Sequence, residues 1–341
     1  MPTFATLTHL LAKYFMRKNI AVVTGGYSGE AVISLKSAEV VMKHLDAEKY
    51  NCYKIVLTRD KWVLEQDGKE TPVDKNDFSV TVAGKKIKFH CVFMALHGTP
   101  GEDGKLQGYF DMIGMPYTSC GVVQSAITFN KAFTVAVLSR FGVNTARSTV
   151  VNKKDKISAD DILSKVTLPC FVKPNEGGSS LGASKVKHKE ELLPAVEKAL
   201  RVGEEAIVEE FIEGTELTCG VIRFKGKVKA LAISEVVCSK EVFDFDAKYI
   251  DKSTEEITPA RIPLPTEAEC KNLSEYIYTV LGCRGMIRID YILKKNKLYV
   301  LEVNSIPGLT ERSFVPQQAE YAGISKKELF GNAIEEVFNG N

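Results

Sequence analysis

Two short segments near the C-terminal end concentrate residues able to hold a hard metal ion. In Met286-Ile287-Arg288-Ile289-Asp290-Tyr291 and Leu298-Tyr299-Val300-Leu301-Glu302-Val303-Asn304, polar residues recur at every second position. Side chains alternate faces along a strand, so Arg288 and Asp290 share one face, as do Glu302 and Asn304. The polar stretch 294–297 predicts a hairpin turn between the two strands. With Lys295-Asn296-Lys297 as the loop, Asp290 falls directly across from Glu302. Opposed like charges destabilise a sheet unless a cation sits between them. Two carboxylates and an amide carbonyl are hard oxygen donors suited to Mg²⁺ or Mn²⁺. The competing reading is a solvated polar face, and the arginine in the same cluster weighs against it.

A second constellation is Phe171-Val172-Lys173-Pro174-Asn175-Glu176-Gly177-Gly178-Ser179-Ser180-Leu181-Gly182. A strand delivers a lysine into a glycine and serine loop whose N–H groups can wrap phosphate oxygens. The spacing is neither the P-loop pattern nor the dinucleotide fingerprint, and by itself it fits a flexible hairpin loop equally well. The acids of Ile207-Val208-Glu209-Glu210-Phe211-Ile212-Glu213-Gly214-Thr215-Glu216 could take a ribose hydroxyl or an adenine amine; read alone, they are solvated.

The elements that must position these residues follow from the apolar pattern. Strands are expected over 19–24, 53–57 and 91–96, with helices over 34–45 and 105–113. That alternation predicts an open α/β sheet over roughly 17–125, with its ligand site at the loops 26–30 and 97–103. Beyond residue 130 the texture becomes α+β. Strands are expected over 167–173, 183–186, 206–211, 217–224, 228–235, 286–293 and 297–303, and helices over 190–200 and from 326. Residues 237–262 carry many charges and no period, the mark of a functional lid inside a compact protein. Residues 1–16 read as a peripheral extension, because no basic region precedes the apolar patch at 7–11 and the first convincing strand begins after Lys18.

The totals exclude several classes. A formal net charge of +2 with interspersed signs gives no reason to expect nucleic acid or a membrane surface as partner. No apolar run approaches the roughly 18–20 residues that span a bilayer. The 8 cysteines form no C-x-x-C pair and mostly sit in apolar runs, so they read as buried reduced thiols of a cytoplasmic protein. Trp62 reads as structural.

In order, the chain contains Gly25-Gly26-Tyr27-Ser28-Gly29-Glu30, then His97-Gly98-Thr99-Pro100-Gly101-Glu102-Asp103-Gly104-Lys105-Leu106-Gln107-Gly108, then Asn130-Lys131 and the Lys173 loop. Asp246-Ala247-Lys248-Tyr249, Arg288-Ile289-Asp290 and Glu302-Val303-Asn304-Ser305-Ile306-Pro307-Gly308-Leu309-Thr310 follow. This series resembles D-alanine–D-alanine ligases over about residues 17–337, and the His97 and Glu302 stretches are specific to that family.

The resemblance implies an ATP-grasp fold of mixed α/β and α+β character. It would comprise an N-terminal open α/β substrate-binding subdomain (17–129), a central subdomain (130–215) and a C-terminal subdomain (216–337) with the lid. It implies ATP, D-alanine, Mg²⁺ or Mn²⁺ with two ions per site, and a homodimer. By motif match, Lys131, Lys173 and Lys248 would contact ATP phosphates, Glu209 and Phe211 the adenine, and Glu216 the ribose. Asp290, Glu302 and Asn304 would hold Mg²⁺. Glu30 would bind the first substrate's ammonium, and Arg288 with the Gly308 N–H would stabilise an oxyanion. Ser179 and Tyr249 would close the lid with Glu30. Ser313 would hold the acceptor carboxylate, with His97 and Phe314 nearby. The rivals are a D-alanine–D-lactate or D-alanine–D-serine ligase, another ATP-grasp carboxylate–amine ligase and, from a different class, an inactive nucleotide-binding regulator.

Overall fold

The computed structural model describes residues 17–179, 181–238 and 254–339. The extension 1–16, most of the expected lid and with it Lys248 and Tyr249 lie outside the described residues.

The N-terminal sheet has seven strands in the order β6-β5-β4-β3-β2-β1-β7. Its first strand, β1 (Lys18–Gly25), runs parallel to β2 (Tyr50–Leu57) on one side and to β7 (Cys91–Met94) on the other. Helix α1 (Ala31–His44) crosses back from β1 to β2. It begins three residues earlier than the apolar pattern indicates, directly after Glu30. The rest of the sheet departs from the expected strand and helix alternation. An antiparallel meander, β3 (Trp62–Gln66), β4 (Lys69–Asp74), β5 (Ser79–Val82) and β6 (Lys85–Ile87), extends it past β2. Trp62 packs edge-on against Phe78 and Tyr109, a structural role as expected. Helix α2 (Lys105–Met112) covers this face through Leu106 and Phe110.

Two helices, α3 (Val122–Phe129) and α4 (Lys131–Arg140), lead to a four-stranded sheet ordered β10-β9-β11-β8. Its strands are β8 (Ser148–Asn152), β9 (Cys170–Pro174), β10 (Ser184–Val186) and β11 (Glu205–Glu210), with a short α5 (Ala159–Leu163) and α6 (Lys189–Leu200) packed on one face.

A five-stranded sheet, β14-β13-β12-β15-β16, completes the molecule. It comprises β12 (Thr215–Phe224), β13 (Lys227–Cys238), β14 (Thr254–Ile257), β15 (Met286–Lys294) and β16 (Lys297–Asn304). Helix α7 (Leu264–Val280) closes its core around Ile277, Tyr278 and Tyr291. On the opposite side, α8 (Phe314–Tyr321) and α9 (Lys326–Phe338) share one apolar cluster with β1, β7 and α1, including Val22, Phe93, Val315 and Phe330. Burying each such side chain contributes about 1.5–3 kcal/mol. That shared core ties the first sheet directly to the last helices.

Among the described residues no single helix is long and apolar enough to cross a membrane; α3 and α4 reach that length and composition only as a pair bent by 107°.

Candidate active site

The hairpin of β15 and β16 brings Asp290 directly across from Glu302, and Arg288 across from Asn304. The route to that register differs from the expected three-residue loop. Lys294 pairs with Lys297, leaving a two-residue turn of Lys295 and Asn296, both at positive φ (46° and 62°). The matching pairs run as far as Tyr291 and Val300, and the register then slips by one at Leu301. This bulge, not the turn, sets the two carboxylates opposite each other.

Around that pair the charges are arranged closely. Arg288 donates from Nε to Asp290 Oδ1 at 2.8 Å and from Nη2 to Asp290 Oδ2 at 2.7 Å, and lies 3.9 Å from Glu302. Thr218 Oγ1 donates to Asp290 Oδ1 at 2.6 Å, and Asn304 Nδ2 donates to Asp290 Oδ2 at 3.1 Å. Burial opposes the guanidinium charge of Arg288, but Asp290 and Glu302 outweigh it and hold its pKa above the ordinary value.

Two lysines face the same space. Lys173 on β9 sits diagonally from Glu209 on β11, and their charges meet at 2.6 Å. The sequence treats these as separate contacts; the sheet makes them one ion pair. Burial would lower the Lys173 pKa, but Glu209 and Glu302 raise it overall. Lys131, the first residue of α4, donates to the Gly177 carbonyl at 2.6 Å and stands 4.0 Å from Glu302. Burial dominates there and lowers its pKa. Phe211 continues from β11, with Lys185 Nζ 3.8 Å from its ring centre.

From the opposite side, Ser179 donates to Glu30 Oε1 at 2.9 Å, joining the glycine-rich loop to the first turn of α1. Gly98, at φ +69°, lies so close that a Cβ there would sit 2.4 Å from Ser28 Oγ and 2.9 Å from Glu30 Oε2. His97 is buried and held at both ring nitrogens. Nδ1 donates to the Ile306 carbonyl at 2.9 Å, so Nε2 accepts from Ser37 Oγ at 3.0 Å. Burial lowers its pKa, so the ring is neutral. Ser313 occupies the N-cap position of α8, its Oγ turned back to accept the Thr310 N–H at 3.0 Å rather than a helix N–H, and Arg288 lies 5.8 Å from the Phe314 ring centre.

These residues line two adjoining cavities of about 1110 and 540 Å³. Lys131, Lys173, Glu209, Phe211, Glu216 and Asp290 face the larger. His97, Arg288, Asn304, Gly308, Ser313 and Phe314 face the smaller. Glu30, Ser179 and Glu302 line both. Every site residue expected from the sequence and lying within the described residues is therefore in this space.

Sequence reasoning passed over Glu102 and Gln318. Glu102 also lines the smaller cavity, and its Oε2 accepts the Gly98 N–H at 2.8 Å. Burial, with Glu30 adding repulsion, pushes its pKa up to about 8. The signal available was its place in the loop 97–103. Gln318 of α8 is fully buried; its Oε1 accepts the Gly220 N–H at 2.7 Å, and its Nε2 donates to the Thr218 carbonyl at 2.9 Å. It satisfies the main chain where β12 slips register against β13, beside the threonine that braces Asp290.

Among the described residues no group of three or more His, Cys, Asp or Glu side chains forms a ready metal cluster. The hairpin's donor set of Asp290, Glu302 and the Asn304 amide nevertheless fits a hard divalent cation, since two opposed carboxylates gain from added positive charge.

Three sheets about a shared cleft, one bearing a lysine strand and a glycine-rich loop and another a carboxylate hairpin, define an ATP-grasp architecture. Solved structures agree. The VanG D-Ala:D-Ser ligase of Enterococcus faecalis superposes with a TM-score of 0.85 at 31% identity, covering 94% of this chain and 99% of that one. The D-alanine–D-alanine ligase of Bacillus anthracis gives 0.77 at 30%, covering 95% and 98%. Family models described as the D-ala D-ala ligase N-terminus and C-terminus match residues 19–120 and 137–335. A D-alanine–D-alanine ligase of Flavobacterium johnsoniae is 50% identical over 319 residues, 93% of this chain and 98% of that protein. One of Phocaeicola vulgatus is 45% identical over 325 residues, 95% and 100%. The chain belongs to the D-alanine–D-alanine ligase family.

Proposed function

We propose that this chain joins two D-alanine molecules into D-alanyl-D-alanine, with ATP cleaved to ADP and phosphate, for peptidoglycan precursor synthesis. The observation that carries the reading is the convergence of Glu30 and Ser179 with the Arg288, Asp290 and Glu302 hairpin around joined cavities.

A carboxylate is a poor electrophile, so the first D-alanine is activated as an acyl phosphate before the amine of the second attacks it. The larger cavity takes ATP: Glu209 and Phe211 at the adenine, Glu216 at the ribose, and Lys131 and Lys173 at the phosphates. Lys248 adds a further phosphate contact in this reading. Glu30, with one oxygen held by Ser179, takes the donor ammonium. Arg288 and the Gly308 N–H stabilise the oxyanion of the tetrahedral intermediate, which a preorganised, water-poor site does efficiently. Ser313 takes the acceptor carboxylate beside His97 and Phe314, and Tyr249 completes the closure with Ser179 and Glu30. Asp290, Glu302 and Asn304 would hold Mg²⁺ or Mn²⁺, two ions by resemblance, which offset phosphate charge when bound.

The reading divides the chain into the subdomains 17–129, 130–215 and 216–337. By resemblance it also extends to a homodimer in the cytoplasm, where the free thiols of Cys52, Cys91, Cys120, Cys170, Cys219, Cys270 and Cys283 would stay reduced. The test is phosphate release with ATP and Mg²⁺. Release with D-alanine but not L-alanine, and D-alanyl-D-alanine as the main product when D-lactate and D-serine compete, is the expected result. Equal release with and without D-alanine would overturn it.

A further inference from the structure

Asn175 follows the strand that carries Lys173 and precedes the glycine-rich loop, and the reading above gives it no task. Its side chain is 1% exposed, yet its polar atoms are bonded. Nδ2 donates to Glu205 Oε2 at 2.7 Å and to Asn130 Oδ1 at 3.1 Å, while Oδ1 accepts the Ala132 N–H at 2.9 Å. Its main chain repeats the connection: the Lys131 N–H donates to the Asn175 carbonyl at 3.0 Å, and the Asn175 N–H donates to the Glu205 carbonyl at 2.9 Å. Asn130 in turn caps α4, with Oδ1 accepting the Phe133 N–H at 3.1 Å, and its Nδ2 donates to Glu176 Oε1 at 3.2 Å.

One amide therefore joins three parts: the start of the helix that presents Lys131, the end of the strand that presents Lys173, and the entry to the loop that reaches Gly177 and Ser179. Lys131 closes the circuit by donating to the Gly177 carbonyl. A buried amide with its donors and acceptor matched specifies one arrangement of its neighbours, because any other leaves polar groups unpaired. We propose that Asn175 is the positioning residue that fixes Lys131 and Lys173 relative to each other and to the glycine-rich loop, and so sets the phosphate-binding geometry. This rests on the reading of the larger cavity as the ATP site.

The amide acts as a donor toward Glu205, which gives the test its form. In Asn175→Asp a carboxylate replaces the donor and faces the Glu205 carboxylate. In the double variant Asn175→Asp with Glu205→Gln, the glutamine amide donates in the reverse direction and the pair's net charge returns to that of the parent. ADP with Mg²⁺ is titrated calorimetrically into each folded variant, and the KM values for ATP and D-alanine are measured separately. Asn175→Asp is expected to weaken ADP binding about tenfold or more, the scale of a lost charge-assisted hydrogen bond. The KM for ATP is expected to rise more than that for D-alanine, and the double variant to recover most of the ADP affinity.

Parent-like ADP affinity in Asn175→Asp with only a lowered melting temperature would overturn the proposal, as would a double variant no better than the single one. If Asn175→Asp does not fold, Asn175→Ala, which removes the amide without adding charge, takes its place with the same expected and overturning results for ADP. Lys173→Met is titrated alongside. Parent-like ADP affinity there would overturn the ATP-site reading itself, separately from the role of Asn175.

Discussion

Replacing Glu302 by glutamine separates stability from chemistry at the hairpin. The Glu302 carboxylate is 31% exposed, and Arg288 and Lys131 stand 3.9 and 4.0 Å from it. Ion pairs of that length, open to water, contribute about 0–1 kcal/mol each. Against them stands the like-charge opposition to Asp290 across the ladder, which costs about 0.2–1 kcal/mol. The terms nearly cancel, so Glu302→Gln is expected to leave the fold within about 1 kcal/mol, a shift of a few degrees at most in melting temperature. Turnover is expected to fall at least about a hundredfold, or about 2.7 kcal/mol of transition-state stabilisation, if this carboxylate helps hold the divalent ion. Three measurements check it: thermal melting without ligands, Mn²⁺ affinity by electron paramagnetic resonance titration, and phosphate release across a Mg²⁺ series. Parent-like Mn²⁺ affinity, or near-normal turnover at low Mg²⁺, would refute the metal assignment.

Glu102→Gln should change the pH dependence of stability. Its folded pKa of about 8 lies above the ordinary carboxyl value, so ionising it favours the unfolded chain, and the parent loses stability from about pH 4.5 up to about pH 8. The neutral amide removes that slope in thermal melts across this range; an unchanged slope would show that Glu102 is not the group responsible. Gly98→Ala forces a side chain into positive φ against Ser28 and Glu30, at a cost of about 1–3 kcal/mol. A lowered melting temperature together with a raised KM for D-alanine is expected, and a mutant unchanged in both would mean the loop relaxes without disturbing Glu30.

Much of this site was legible because its chemistry coincides with strong local patterns. The β15 and β16 segments alternate polar and apolar residues across a polar turn, and β1 and β7 are built on the unbroken apolar runs 20–23 and 91–94. The meander was not legible: β4, Lys-Glu-Thr-Pro-Val-Asp, has a proline and scattered charges, and β6 has only three residues. Helix α4, Lys-Ala-Phe-Thr-Val-Ala-Val-Leu-Ser-Arg, is rich in β-branched residues and shows no clear apolar stripe; its helical state is fixed by the Asn130 cap and by packing. Buried polar residues were the hardest to find. Nothing in one sequence distinguishes Gln318 or Asn175 from any solvated amide, because what buries them is the distant main chain they satisfy: Gly220 and Thr218 for one, Ala132 for the other.

The slip at Leu301 also bears on how freely the hairpin can vary. With the bulge placed between them, the tip and the carboxylate end keep separate registers: Lys294 to Lys297 at one, Asp290 to Glu302 at the other. The tip can therefore adopt whichever short turn its own residues favour, while the opposed acids stay aligned. One residue lost at the turn can be absorbed by closing the bulge, leaving Asp290 opposite Glu302. The hairpin thus has a built-in tolerance for a single-residue deletion at its tip, where an unbulged ladder would transmit the change straight into the site.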